Sequence, residues 1–455
     1  MTKTLFWAWG VGRCVTATLL AFDDTDSPEG MCTTYLATLM IEELSQYSLI
    51  GPPRLVRLNP NIPWKTRGNA AICLGFGIAS GNGKVCGEIE GKPVLCYDRG
   101  RPVDPEILMG TAKMLVEKMA KFECDKTNPG IVVSRKKPSQ GLYWRTVRGI
   151  TELRDVERTL ASCGATWKRF KNGRGVIGAS AAMSWRPRDR TWEVIAYREP
   201  SRWGTSRSID AESVKKMDRS TARTFNNYDY VHKHVAIAPG SPCPILFGIR
   251  GDSPAELLKA RKMIRAEKQD RWLLFMTNQA TEDHIVDRMI GSLQKWESAR
   301  VRARVVAPPK TVPGGHVIVR VSDGDEIDAA FYEPSKEFRE IGRSLRIGDE
   351  VLLYGSVRDV PRSLNVEKVR VLKLAQELEK VHNPSCRKCG KRMGSLGAGK
   401  GYRCKRCGRR APEHAAEMRK IRRELSTGWY EPPVASRRHL HKPLRRLSRV
   451  NIDSI

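Results

Sequence analysis

No uncharged apolar segment of this chain is long enough to cross a bilayer, and no basic amphipathic stretch is suited to lie on one, so no membrane partner is expected. A disulfide framework is missing too. Of 12 cysteines, four form two CxxC pairs and eight follow no spacing, which points to a reducing cytoplasm with one metal site. Acid is in short supply: 50 Asp and Glu stand against 80 Lys and Arg, for a formal net charge of +30 and a pI near 9.9. That excess of base points to a polyanion, most simply nucleic acid. Half of it lies between Cys386 and Ile455. Apolar residues are not lacking: 40% of the 455 positions are hydrophobic, enough for about three packed domains. The first residues, MTKTLFWAWGVGRCV, are apolar but short, broken by Arg13 and without a small-residue cleavage site. Residues 1–15 are therefore read as an amino-terminal extension rather than a signal peptide.

The chemistry gathers at Asp23-Asp24-Thr25-Asp26-Ser27-Pro28-Glu29-Gly30. Residues 15–22 before it read as a short buried strand, and residues 31–47 after it as a helix with Leu36, Leu39, Met40 and Leu44 on one face. Asp23, Asp24 and Asp26 then share a loop between a strand end and a helix start. Close carboxylates repel, so a cation or a raised pKa is expected, and magnesium with oxygen ligands meets that need while also holding phosphates. The helix start adds free N–H groups that favour phosphate, with Thr33 and Thr34 in its first turn. Ser27 and Gly30 belong to the same phosphate-binding loop. The plainer reading is an acidic turn with Asp as a helix cap. A second chemical reading is an aspartyl phosphotransferase, in which one Asp is the nucleophile.

Further along, Asn59 to Gly68 break two strands with a polar loop carrying Lys65 and Arg67. Residues 104–121 form an amphipathic helix. Ile131 to Val133 read as a strand, with Ser134, Arg135, Lys136 and Lys137 at its carboxyl end, where α/β sheets place ligands; this basic run suits a triphosphate. Segments 176–183, 192–197 and 231–238 read as strands, and Ser253 caps a helix with Pro254 at its first position. That alternation suggests an α+β sandwich half. From about residue 285 to 374, five strands with a helix between the third and fourth describe an OB-fold, a barrel that often binds single-stranded nucleic acid. Cys386, Cys389, Cys404 and Cys407 follow with the spacing of a closed structural zinc site. Arg387, Lys388, Arg403, Lys405 and Arg406 surround them and suit RNA phosphates. Residues 413–425 read as a basic helix, and the stretch from Arg437 to Arg449 as a tail that stays mobile until RNA binds.

Taken in order, FDDTDSPEGMCTTYLA (22–37), RLNPNIPWKTRGNAA (57–71), VVSRKKP (132–138), FNNYD (225–229), PCPILFGIRG (242–251), GGHVIVRVSD (314–323), YEPSKEFR (332–339) and the paired CxxC knuckles resemble the archaeal tRNA(Ile) 2-agmatinylcytidine synthetase (TiaS) family. The resemblance spans roughly Thr16 to Arg410. It implies a multidomain α+β protein: a kinase-like α/β domain over 16–200, a ferredoxin-like α+β domain over 201–284, an OB-fold β-barrel over 285–375, a zinc ribbon over 383–412 and a basic carboxyl-terminal helix and tail over 413–455. It also implies a ligase that uses ATP to join agmatine to the 2-position of the wobble cytidine of a CAU-anticodon tRNA(Ile), for AUA decoding. The 2-oxo group would be activated by phosphorylation, with ATP converted to AMP. By motif position Thr33 becomes phosphorylated, Asp23, Asp24 and Asp26 hold magnesium or supply a base, and Asp229 is the candidate partner of the agmatine guanidinium. No protein partner is implied. A non-catalytic tRNA-binding adaptor would share the barrel, ribbon and charge but leave the aspartate loop without a role.

Overall fold

The structure of the protein, a computed structural model, describes residues 17–450. Thr16, the extension at 1–15 and residues 451–455 lie outside the described residues. The apolar run before the aspartates forms β1 (Thr18–Asp23), buried throughout. Next come α1 (Thr33–Glu43), β2 (Ser48–Ile50), β3 (Arg54–Arg57) and a long hairpin of β4 (Ala70–Ile89) and β5 (Lys92–Pro102). Helix α2 (Pro105–Met119) is capped by the Asp104 side chain, which accepts the Glu106 N–H. It is followed by β6 (Gly130–Ser134), α3 (Gln140–Arg148), α4 (Leu153–Ser162), β7 (Thr166–Arg169), α5 (Gly175–Ser184) and β8 (Thr191–Arg198). Then come α6 (Ala211–Ser220), β9 (Thr224–Phe225), β10 (Tyr228–Asp229), β11 (His234–Val235), β12 (Ile245–Gly251), α7 (Pro254–Met263) and β13 (Gln269–Thr277).

All but β10 and β11 of these strands join one mixed sheet of 11 strands, in the order β7-β6-β1-β4-β3-β13-β8-β12-β9 with β2 and β5 attached beside β4. The division expected at 200/201 falls inside this sheet, between β8 and the two strands it pairs with, β12 and β13. Alternate residues of β1 face opposite ways: Leu19 and Ala21 pack with α3, α4 and α5, Leu20 and Phe22 with α1 and α2. Helices therefore cover both faces of the sheet around β1, which lies between β6 and β4. Residues 176–183, expected as a strand, are helix α5. Its run of Val, Ala and Met is buried on every side, so no amphipathic period marks it, and buried helices and strands share that signature. The strand expected over 231–238 shrinks to the two residues of β11.

The carboxyl-terminal half contains β14 (Ile285–Asp287), β15 (Ser298–Val305), β16 (Lys310–Val312), β17 (His316–Ser322), β18 (Glu326–Phe331), α8 (Phe338–Ser344), β19 (Glu350–Arg358) and β20 (Ser363–Lys373). Five of these strands close a barrel in the order β15-β17-β18-β20-β19 and back to β15, with α8 between β18 and β19 in the chain. Val301, Val319, Phe331 and Leu353 fill it. Three two-residue strands then form a small sheet around the paired cysteines.

Two expectations for the carboxyl terminus are corrected here. Residues 413–425 are not a helix: Glu417–Lys420 pairs antiparallel with Leu378–His382, the segment leading into the ribbon, and pairing across the chain overrides the local helical composition. Nor is the described part of 437–449 a solvated tail. Leu440 is buried in the core beneath the sheet, and Arg446 is nearly buried, with Nη1 on Asp189 at 2.7 Å and Nε on Asp252 at 2.7 Å. Lys442 joins Asp189 at 2.9 Å. Charge read as a sign of solvation is instead paired charge docking the segment. Arg446→Ala should strip Asp189 and Asp252 of their main partner and lower stability by about 2–3 kcal/mol, seen as an earlier denaturant midpoint at unchanged slope. A solvated tail would leave the midpoint where it was.

Candidate active site

Asp23 ends β1, and Asp24 leaves the strand in the left-handed region at φ 58°, a conformation Asp tolerates. The turn spreads three carboxylates over separate donors. Asp23 accepts the Asp24 N–H at 2.7 Å. Asp24 accepts the Thr66 hydroxyl and the Asn128 N–H, each at 3.1 Å. Asp26 accepts Arg67 Nε at 2.7 Å, and its carbonyl accepts the Thr127 hydroxyl at 2.7 Å. All three carboxylates, with Thr33, Thr34, Lys65, Thr66 and Arg67, line one cavity of about 860 Å³. Helix α5 presses against this corner. A Cβ on Gly178 would lie 1.8 Å from Asp23 Oδ2, so only glycine permits that approach.

Burial is the main force on these acids. It pushes the Asp23 carboxyl well above the ordinary range, with the neighbouring Asp24 charge adding to it. Asp24 is pushed up to about 6, again by burial first, with Thr66 opposing and Asp26 assisting. Clustered oxygen donors with this deficit of positive charge fit a hard divalent cation. The start of α1 faces the same space. Its cap residue, Cys32, makes no side-chain capping bond, and the Thr33 hydroxyl accepts from Thr25 at 3.2 Å. First-turn N–H groups of this kind suit an anion.

The remaining residues singled out from the sequence divide. Lys65 and Arg67 reach the cavity. Ser27 and Gly30 instead hold each other, with the Ser27 N–H donating to the Gly30 carbonyl at 3.0 Å, and shape the loop without lining the cavity. Ser134, Arg135, Lys136 and Lys137 are not brought to the aspartates. Strand β6 runs antiparallel to β1, so Ser134 lies opposite Leu19 while Gly130 lies opposite Asp23. The carboxyl end of β6 is thus at the far end of the strands; the expectation assumed parallel pairing. Asp229 also lies outside the cavity lining. It is buried at the end of β10, accepting the Val231 and His232 N–H groups of the following turn at 3.1 and 3.0 Å and facing His232 Nδ1 at 3.2 Å.

Several cavity residues escaped the sequence reading: Arg57, Arg174, Glu193, Arg250 and His439. Arg57 and Arg250 sit inside two of the stretches quoted for the family resemblance. Glu193 carried a signal of its own, an acid in the middle of the apolar strand β8, where a charge needs partners. It has them in Arg250 Nε at 2.9 Å and Gln279 Nε2.

In the ribbon, the sulfur atoms of Cys386, Cys389, Cys404 and Cys407 lie within 4.8 Å of one another, a spacing that fits one tetrahedral ion. Gly390 and Gly408, at φ 67° and 72°, close the two knuckles by donating to the Cys386 and Cys404 carbonyls at 2.8 and 2.9 Å. Backbone N–H groups of Lys388 and Cys389 pull the Cys386 thiol down to about 6. Arg387, Lys388, Arg403, Lys405 and Arg406 are all exposed around it. No described helix is long and apolar enough to cross a membrane.

Comparison with known proteins decides the family. Residues 19–172 match the TiaS TCKD domain, 173–284 the TiaS FLD domain and 383–425 the TiaS C-terminal zinc ribbon domain. The isoleucine-tRNA 2-agmatinylcytidine synthetase TiaS of Methanocaldococcus jannaschii is 39% identical over 94% of this chain and 98% of its own length. This chain belongs to the TiaS family. The Methanosarcina acetivorans TiaS is 40% identical over 95% of this chain and 98% of its own. Among solved TiaS structures, a complex of TiaS with its isoleucine tRNA and ATP superposes with a TM-score of 0.81 at 36% identity, over 95% of this chain and 97% of that one. A complex of TiaS with the same tRNA, AMPCPP and agmatine gives 0.78 at 33% identity, over 95% and 97%.

An acid whose folded pKa is raised weakens the fold once it ionises. Asp24→Asn should therefore stabilise the protein by about 2 kcal/mol at pH 7 and above. The gain should fade as pH falls from about 6 towards 4, where the wild-type carboxyl is protonated in both states. Melting curves across that range test it; a pH-independent difference would contradict the burial argument.

Proposed function

We propose that this protein uses ATP to join agmatine to the 2-position of the wobble cytidine of the CAU-anticodon tRNA(Ile), giving 2-agmatinylcytidine. The observation that carries this reading is the match to TiaS enzymes over nearly the whole chain, together with an aspartate cluster and a helix start in one cavity. A cytosine 2-oxo group is a poor leaving group; phosphorylated, it departs easily and an amine can take its place. The protein's work is then positioning and charge stabilisation. Asp23, Asp24 and Asp26 would hold magnesium, which when bound supplies positive charge to the triphosphate. Lys65, Arg67 and the first turn of α1 would orient the phosphates. Thr33, which lines the cavity, would be the residue that becomes phosphorylated. The target base must leave its stack to enter.

Residues 16–200 and 201–284 are read as the kinase-like and ferredoxin-like domains, which the family models divide at 172/173. The barrel order and the place of α8 support an OB-fold over 285–375. With zinc in the ribbon over 383–412 and the basic segment to 455, it would grip the tRNA in the cytoplasm.

The direct test incubates protein, ATP, agmatine and a CAU-anticodon tRNA(Ile) transcript and weighs the anticodon nucleoside by mass spectrometry. The wild type should yield agmatinylcytidine, and Asp23→Asn should abolish it while tRNA affinity stays within about twofold; an unmodified nucleoside with the wild type would reject the reading. Cys404→Ser should release zinc and weaken tRNA binding at least about tenfold, measured by metal analysis and titration. Full zinc retention would exclude this ligand set.

A further inference from the structure

Beyond the ribbon the chain returns to the large sheet. The Ala280 N–H donates to the His439 carbonyl and the Glu282 N–H to the Leu440 carbonyl, both at 2.9 Å. Arg438 donates to Asn61 Oδ1 at 2.6 Å and pairs with Glu367 at 3.0 Å. These contacts place Arg437, Arg438 and His439 in the wall of the cavity that holds the aspartates. None of the matched family domains extends beyond residue 425.

His439 lines the cavity and keeps access to solvent. Its tautomer follows from a relay. Both oxygens of the Glu193 carboxylate can only accept; one takes Arg250 Nε at 2.9 Å and the other takes Gln279 Nε2. The Gln279 amide is thereby turned so that its oxygen faces His439 Nδ1 at 3.2 Å. An amide oxygen donates nothing, so Nδ1 carries the hydrogen and Nε2 keeps its lone pair. That nitrogen faces the backbone of Gly68, where a Cβ would lie 3.2 Å from it and 2.6 Å from Arg57 Nη1. Gly68 follows Arg67, the partner of Asp26. The crowding of protein around the ring first, then the charges of Arg57, Arg250 and Lys65, push the imidazole below its usual pKa.

We propose that His439, delivered by the carboxyl-terminal segment, accepts the proton that the agmatine amine loses as it displaces phosphate from C2. This rests on the synthetase reading above. The amine nitrogen forms its bond to C2, and the C2–O bond breaks with its electron pair leaving on phosphate. One N–H proton passes to Nε2 of His439, and the imidazolium returns it to solvent. Gln279 and Glu193 are positioning residues that fix the tautomer.

The test uses the full chain and full tRNA. His439→Gln keeps a donor towards Gln279 but has no base. It should lower kcat for agmatine incorporation about 100-fold at neutral pH with KM for agmatine and tRNA affinity unchanged, and its rate should climb with hydroxide across the range where the wild type is flat. Gln279→Leu, which removes the Nδ1 acceptor and with it a contact that favours the imidazolium, should lower kcat about tenfold and shift the low-pH limb to lower pH. It carries the test alone if His439→Gln does not fold. A wild-type-shaped pH profile in both variants would overturn the proposal, as would undiminished kcat. If the wild type itself makes no agmatinylcytidine, the synthetase reading fails and the assignment of the base falls with it, whereas an active wild type with unaltered variants overturns the base alone.

Discussion

Three like charges packed at the end of one buried strand are the constraint on which this structure turns. Asp23, Asp24 and Asp26 cannot be hidden from water without help, and each is given a different helper: a backbone N–H, a hydroxyl with a second N–H, and a guanidinium. The helpers of Asp24 and Asp26 come from distant parts of the chain, the 59–68 loop and the segment before β6. The long mixed sheet brings them to one place. The arrangement remains under-neutralised, as the raised pKa of two of the three acids shows. A site of this kind leaves charge uncompensated inside the fold, at a cost in stability.

Much of this was legible in the sequence because the residues concerned are chemically loud. Three aspartates after an apolar run, paired CxxC knuckles and five turn-bounded strands each have few alternatives. The quieter features were lost for physical reasons. Helix α5 is buried on every side and carries no period. The Ser134–Lys137 run sat at a strand end as expected, but strand direction is set by pairing partners far away in sequence. Asp229 looked like a free acid, yet a carboxylate two or three residues before open N–H groups is readily taken up by its own turn.

The carboxyl-terminal segment misled for a different reason. Composition alone gives charge, not its partners, and the acids that meet Arg438, Lys442 and Arg446 lie between Asp189 and Glu367. Pairing over such a distance leaves no local trace. The same distance gives the segment its value, since it ties barrel and sheet together beside the cavity.

That threading has a bearing on how the protein comes into being. The aspartates are made near the start of synthesis, whereas Arg437, Arg438 and His439 emerge from the ribosome hundreds of residues later. A partly translated chain would carry the aspartate corner with an incomplete wall, and removal of the stretch after the ribbon would restore that immature condition. Competence thus arrives at one moment, when the last stretch folds back over the first.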